Sequence, residues 1–290
     1  MDFMYVLLAL SIVFMVSKSS VYNIYAKSEN PNVSGVFFFN AFSYAVASIV
    51  ALCTGGLSAV SLPTVICAFF YAAIVFSLQS LSVIAMKKGP MSLTSLIVMF
   101  GMIIPALAGP IFWGEPFGVL QGVGIAVMLA SLWLLKENKA GETATNAKWW
   151  ILAALCFVLS GMAGVMEKIH QSTDGSAEKT SFVLLACSMM FAFSVLGTAV
   201  TSFRARGKRI SRNLLIWAPL SGLLVGLISG VNLTLAGGLN STVYYPVSNG
   251  GALLLTVLIS TVVFREKPTA RKMIGFAMGL CGVLLLSIPV

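Results

Sequence analysis

Residues Glu137–Ala147 read ENKAGETATNA. This polar stretch lies between two long apolar blocks, and it decides how the chain divides. Before it, apolar runs cover about 3–26, 33–54, 63–86, 90–113 and 116–136. After it, five more cover about 148–170, 180–203, 213–237, 241–264 and 268–288. Each run holds roughly 20 mostly apolar residues, the length a helix needs to cross hydrocarbon. The expected fold is all-α and integral to the membrane. Ten transmembrane helices form two five-helix repeats, residues 1–136 and 148–290, joined by the linker at 137–147.

Composition points the same way. The chain has 290 residues, of which 58% are hydrophobic and 9% charged. Soluble domains carry about a quarter charged residues. A soluble protein of this composition would expose too much apolar surface to stay dispersed. The net charge of +9 therefore reads as loop charge that sets membrane orientation, and no nucleic-acid partner is expected. The five cysteines, Cys53, Cys67, Cys156, Cys187 and Cys281, sit in apolar runs without CxxC spacing or a nearby histidine. They read as small packing residues. No metal or cofactor is expected, and no cleavable leader.

The basic residues alternate from loop to loop. Odd-numbered loops hold Lys27; Lys87 and Lys88; Lys136, Lys139 and Lys148; Arg204, Arg206, Lys208, Arg209 and Arg212; and Arg265, Lys267, Arg271 and Lys272. Even-numbered loops hold only Lys168 and Lys179. The positive-inside rule places the odd loops in the cytoplasm and both termini outside, in a multi-pass plasma (inner) membrane protein.

Five is an odd number, so the second half enters the membrane in the opposite sense, as in the inverted repeats of many secondary transporters. The halves also align. IFWGEPFGVLQGVGIAVMLASLWLL (Ile111–Leu135) matches VVFREKPTARKMIGFAMGLCGVLLL (Val262–Leu286), with Glu115 on Glu266, Gly124 on Gly275 and Ala126 on Ala277. SVYNIYAKS (Ser20–Ser28) loosely matches GVMEKIHQS (Gly164–Ser172), and Gln79 falls opposite Asn232.

On these features the chain resembles the drug/metabolite transporter superfamily, EamA-like branch. The resemblance spans the whole chain. It rests on the five-plus-five plan, on the Glu-bearing turns GEP (114–116) and REKP (265–268), and on the glycine-rich final helices. It implies a basket of helices around a central cavity, alternating access, and transport of small organic solutes. Two features depart from the family pattern. Arg265-Glu266 stands in place of Gly-Glu, and the charges put the C-terminus outside.

Several residues stand out chemically. Lys18 lies deep in the first run, where a charge costs about 2.5–3.5 kcal/mol on insertion scales. At 100° per residue Ser11, Lys18, Tyr22 and Tyr25 share an arc, with Val13, Val16 and Ile24 opposite. The first arc is expected to face the bundle interior, the second lipid. Three roles stay open for Lys18: attraction of an anionic group on a substrate, an ion pair with a carboxylate such as Glu167, or snorkelling. Glu167 is a candidate coupling residue, with an interfacial position as the alternative. His170 is expected among headgroups.

The ninth run contains YYPVSNGG (Tyr244–Gly251), where Pro246, Gly250 and Gly251 weaken the helix. Its counterpart in the fourth run is MFGMIIPALAGP (Met99–Pro110). Interrupted helices at matching points suggest a transporter site, so Tyr245, Ser248 and Asn249 join the substrate candidates Lys18, Tyr22, Gln79 and Asn232. Interhelical hydrogen bonding is the alternative for Gln79 and Asn232, and for Asn40 and Tyr44. The small-residue rows Gly222/Gly226/Gly230, Gly118/Gly122/Ala126/Ala130 and Gly275/Gly279 read as close packing, within the fold or at a homodimer contact. Glu115 and Glu266 read as helix caps.

The function expected from all this is secondary active transport of a small polar solute, such as an amino acid or organic acid, anionic or zwitterionic. A multidrug or organic-cation exporter of the same superfamily, and a non-transporting membrane scaffold, are the alternatives. One histidine and no clustered carboxylates argue against an enzyme.

Overall fold

The computed structural model describes residues 2–29, 33–55, 60–88, 91–135, 147–173, 177–202, 211–262, 270–286 and 288. Most of the linker (137–146), Glu266 and the basic residues at 204–209, 265 and 267 lie outside the described residues.

The described chain is helical, in the order α1 (Asp2–Glu29), α2 (Val33–Gly55), α3 (Leu62–Lys88), α4 (Met91–Phe100), α5 (Ile103–Trp113), α6 (Val119–Leu135), α7 (Ala147–Ser172), α8 (Lys179–Ser202), α9 (Arg212–Gly238), α10 (Ser241–Val262) and α11 (Ala270–Leu286). Six of these, α1, α2, α3, α7, α8 and α9, are long and apolar enough to cross a membrane. Large apolar side chains stand outward on them, Val200 at 71% exposure among them. That suits a chain whose solvent is lipid.

Hydroxyls inside the helices mostly satisfy themselves. Ser48, Ser80, Thr198 and Ser229 each donate to the carbonyl four residues back, at 2.7–2.8 Å. That closes their polarity without a partner helix. Ends carry conventional signals. Ser211 accepts from the Leu214 amide at 3.1 Å and caps α9. Gln121 reaches back to the Gly118 amide at 2.8 Å, the returning half of a capping box at α6.

The chain clusters into two compact units, each drawn from both halves of the sequence. One comprises Met1–Ile12, Leu81–Val165 and Gly238–Val290; the other comprises Val13–Ser80 and Met166–Gly237. In the first unit α6 packs on α11, and α10 packs on α5, α11 and α4. In the second, α2 packs on α8.

Small residues set the close approaches. In the first unit a Cβ on Gly161 would sit 2.5 Å from the Ile104 side chain and 2.7 Å from the Gly101 carbonyl. In the second, a Cβ on Gly226 would meet Val50 at 2.8 Å. Gly222 lies against Ser43 and Val46 of α2. The glycine row on α9 therefore seats α2, whereas Gly230 has open space beside it.

Of the two expected interruptions, the one in the fourth run is present and the one in the ninth is corrected. The fourth run breaks at Gly101–Met102, where bonds shorten to i→i−3 (Gly101 N to Val98 O, 3.1 Å; Ile104 N to Gly101 O, 2.9 Å). Pro105 then falls in the first turn of α5, where no amide is needed. The ninth run is one helix, α10, continuous through Pro246. A membrane helix tolerates one missing bond when neighbours hold it.

Candidate solute site

The second unit carries a set of side-chain contacts between helices. Asn40 on α2 donates to Gln79 Oε1 on α3 at 2.8 Å, and the Gln79 amide donates to the Tyr44 hydroxyl. Asn40 and Tyr44 are buried. About two turns toward the α3 start, the Tyr71 hydroxyl donates to Glu167 Oε1 on α7 at 3.0 Å. Thr64 Oγ1 lies 3.2 Å from His170 Nε2. In hydrocarbon such groups cannot find water, so they find one another.

Glu167 and Tyr71 line a small cavity together with Phe182, Cys187, Ser229 and Leu233. Its chemistry is mixed. Glu167 and the hydroxyls of Tyr71 and Ser229 can bond a solute, while Phe182 and Leu233 shed water from it. Lys18 is half-buried on α1, in electrostatic range of the Cys187 thiol, as are the Tyr44 and Tyr71 hydroxyls.

The sequence candidates divide between the units. Lys18, Tyr22, Gln79, Asn232 and Glu167 belong to the second; Tyr245, Ser248 and Asn249 belong to the first. Tyr22 is half-buried and meets Phe39 edge-on at 5.6 Å. Asn232 is half-buried on α9. In the first unit the Tyr245 hydroxyl donates to the Gly164 carbonyl at 2.5 Å, and Asn249 donates to the Tyr245 carbonyl at 3.0 Å. Ser248 is buried. Gly164 is what lets Tyr245 reach α7, since a Cβ there would stand 2.9 Å from the ring.

The structure bears on four of these readings. The Lys18–Glu167 ion pair is not formed; Glu167 bonds Tyr71 instead. Gln79 is bonded to Asn40 and Tyr44, so the bridge joins α2 and α3. His170, expected among headgroups, is fully buried within the protein, its ring 4.2 Å from that of Phe182. Val16, placed on the lipid arc, is 2% exposed, while Val13 and Ile24 do stand outward. The buried sector of α1 is wider than its polar arc: Val16 is covered nearly as fully as Ser11.

Tyr71 and Phe182 escaped the sequence reading. Thr64 and Tyr71, seven residues apart, fall on one face of α3. A polar stripe at that spacing was the available signal.

Both described acidic turns cap a distant helix. Glu115 accepts from the Ser241 amide at 2.7 Å and from its hydroxyl at 3.2 Å, at the start of α10. Gly114, at φ +62°, makes the turn that delivers it. Glu178 accepts from the Ser61 amide and hydroxyl, both at 2.9 Å, at the start of α3. Donation from Thr64 and then Ser61 holds the Glu178 carboxyl below its ordinary range.

No protein-family model matches the chain, and no curated protein sequence matches it. A solved crystal structure of another protein superposes with a TM-score of 0.74 at 16% identity, covering 98% of this chain and 96% of that one. The two share a fold.

Proposed function

We propose that this chain is a secondary transporter of the EamA-like branch of the drug/metabolite transporter superfamily, moving a small polar organic solute by alternating access across the plasma (inner) membrane. The observation that carries the reading is the Glu167–Tyr71 pair at a cavity wall inside helices long enough to span a bilayer. Intramembrane carboxyls mark solute and proton paths.

Two features support ten spans in inverted repeats. The packed pairs α2–α8, α6–α11 and α5–α10 join the second span to the seventh, the fifth to the tenth and the fourth to the ninth. Those are the equivalents an in-plane two-fold would bring together. The caps Glu115–Ser241 and Glu178–Ser61 each join two even-numbered loops, as strict alternation across the membrane requires. Lys18 favours an anionic or zwitterionic solute, with Glu167 as the coupling group.

One observation favours a second reading. The cavity wall holds a carboxyl beside the rings of Tyr71 and Phe182, a lining suited to an organic cation. Thermal melting of the full chain in detergent separates the two. Amino acids, organic acids, sugars, nucleosides and organic cations are screened on wild type, Lys18→Ala and Glu167→Gln. A bound solute at a hundred times its Kd adds about 2.7 kcal/mol to folded-state stability. Anionic or zwitterionic solutes are expected to raise the melting temperature of wild type and not of Lys18→Ala. Stabilisation by cations alone, abolished in Glu167→Gln, would establish the exporter reading. No response to any solute class would favour the scaffold.

A further inference from the structure

His170 is the only histidine in the chain, and it is fully buried. Its ring is bonded on both sides. Gln171 Nε2 lies 2.9 Å from Nδ1, and Thr64 Oγ1 lies 3.2 Å from Nε2. An amide nitrogen can only donate, so Nδ1 is the accepting nitrogen and Nε2 carries the proton. Nε2–H then donates to Thr64, whose hydroxyl donates onward to the Glu178 carboxylate. Every donor in the chain points toward Glu178.

The other atom of the same amide, Gln171 Oε1, is buried with no hydrogen-bond partner. It is the acceptor a doubly protonated ring would need at Nδ1. Half a turn of the amide exchanges the two atoms. Gly237 leaves room for the nitrogen, since a Cβ there would stand only 2.8 Å from Oε1.

We propose that His170 is a proton-binding site, with the added proton on Nδ1 held by the turned Gln171 carbonyl and the charge answered through Thr64 by Glu178. Among the described residues, the charged groups around it are Glu178 and Lys179 from the α8 side and Glu167 and Lys168 on its own helix, with Tyr71 two turns along α3. The ring stacks on Phe182, which in turn contacts Tyr71 at 5.5 Å and lines the cavity. Proton binding at His170 is therefore felt at the cavity wall. Its linkage to solute binding rests on the transporter reading; the proton site itself does not.

The test is nitrogen NMR of the full chain in detergent, labelled with ¹⁵N-histidine. A single histidine yields one pair of ring signals. The neutral ring is expected to carry its proton on Nε2 with Nδ1 bare. Lowering the pH should protonate Nδ1 while the chain stays folded. Glu178→Gln should weaken proton binding about tenfold, the size expected when an opposite charge near a titrating group is removed. A neutral ring protonated on Nδ1 overturns the proposal, as does a ring that takes up no proton before unfolding. Both are read on the wild type, so neither depends on a variant folding. A titration unmoved in Glu178→Gln also overturns it. Failure of every solute in the melting screen would leave this titration standing, so the two readings fail separately.

Discussion

The two units use their polar side chains differently. In the first, Glu115 caps α10, Tyr245 and Asn249 bond backbone carbonyls, and Trp149 donates to Thr94 at 3.3 Å beside the small core of Ala85 and Ala153. Most of these contacts close a helix end or tie one backbone to another. In the second, Asn40, Gln79 and Tyr44 bond one another, Tyr71 bonds Glu167, and Thr64 meets His170. Those contacts join titratable and amide side chains of different helices, and the Tyr71–Glu167 pair lines a cavity. A membrane protein that only needed to hold together could be built of the first kind alone. The second kind costs insertion energy, which the transport role proposed above would account for.

The comparison can be pressed with substitutions. The largest effect is expected from packing in the first unit. Gly161→Leu drives a side chain into Ile104 and the Gly101 carbonyl, and should cost about 3 kcal/mol or more by overpacking. Gly230→Leu, into open space in the second unit, should change the melting temperature little. Equal losses would mean that the close approach at Gly161 is not what holds α7 to the α4–α5 break.

A middle-sized effect comes from the bonds themselves. Gln79→Leu leaves the Asn40 amide and Tyr44 hydroxyl without their shared partner, at about 1–3 kcal/mol for orphaned buried groups. Tyr245→Phe removes one donor from a Gly164 carbonyl that keeps its helical bond, at about 1 kcal/mol. Denaturation of both variants in one detergent ranks them. The reverse order would mean that the first unit holds the stricter polar contact.

The smallest effect is at the α3 cap. Glu178 is held below its ordinary range in the folded chain, so its contribution is full above the unfolded value of about 4.3 and fades as pH falls through the folded value. Wild type should lose melting temperature relative to Glu178→Gln below about pH 4.3, separately from any divergence at higher pH that the shifted His170 titration produces. Absence of any divergence below about pH 4.3 would mean that Glu178 is not held below its ordinary range by the α3 cap.

Much of this was readable from one line of text. The helix positions follow from the apolar runs, and Asn40, Tyr44, Gln79 and Glu167 were all visible as polar groups in hydrocarbon. Their partners were not. Gln79 was matched to Asn232 by repeat symmetry, whereas its bonds go to residues 39 and 35 positions earlier on α2. His170 read as interfacial because it neighbours Lys168. Thr64 and Phe182, which enclose it, come from other helices.

The sequence by itself determined that the chain is helical, apolar and suited to lipid, because hydrophobic run length and backbone satisfaction are local properties of each segment. Only the tertiary structure decided which polar groups meet: Glu167 with Tyr71, Glu115 with Ser241, His170 with Thr64. Those pairings depend on how helices rotate and approach, which glycines such as Gly222 and Gly161 set by letting two backbones close. A single segment carries no information about the face its neighbour presents.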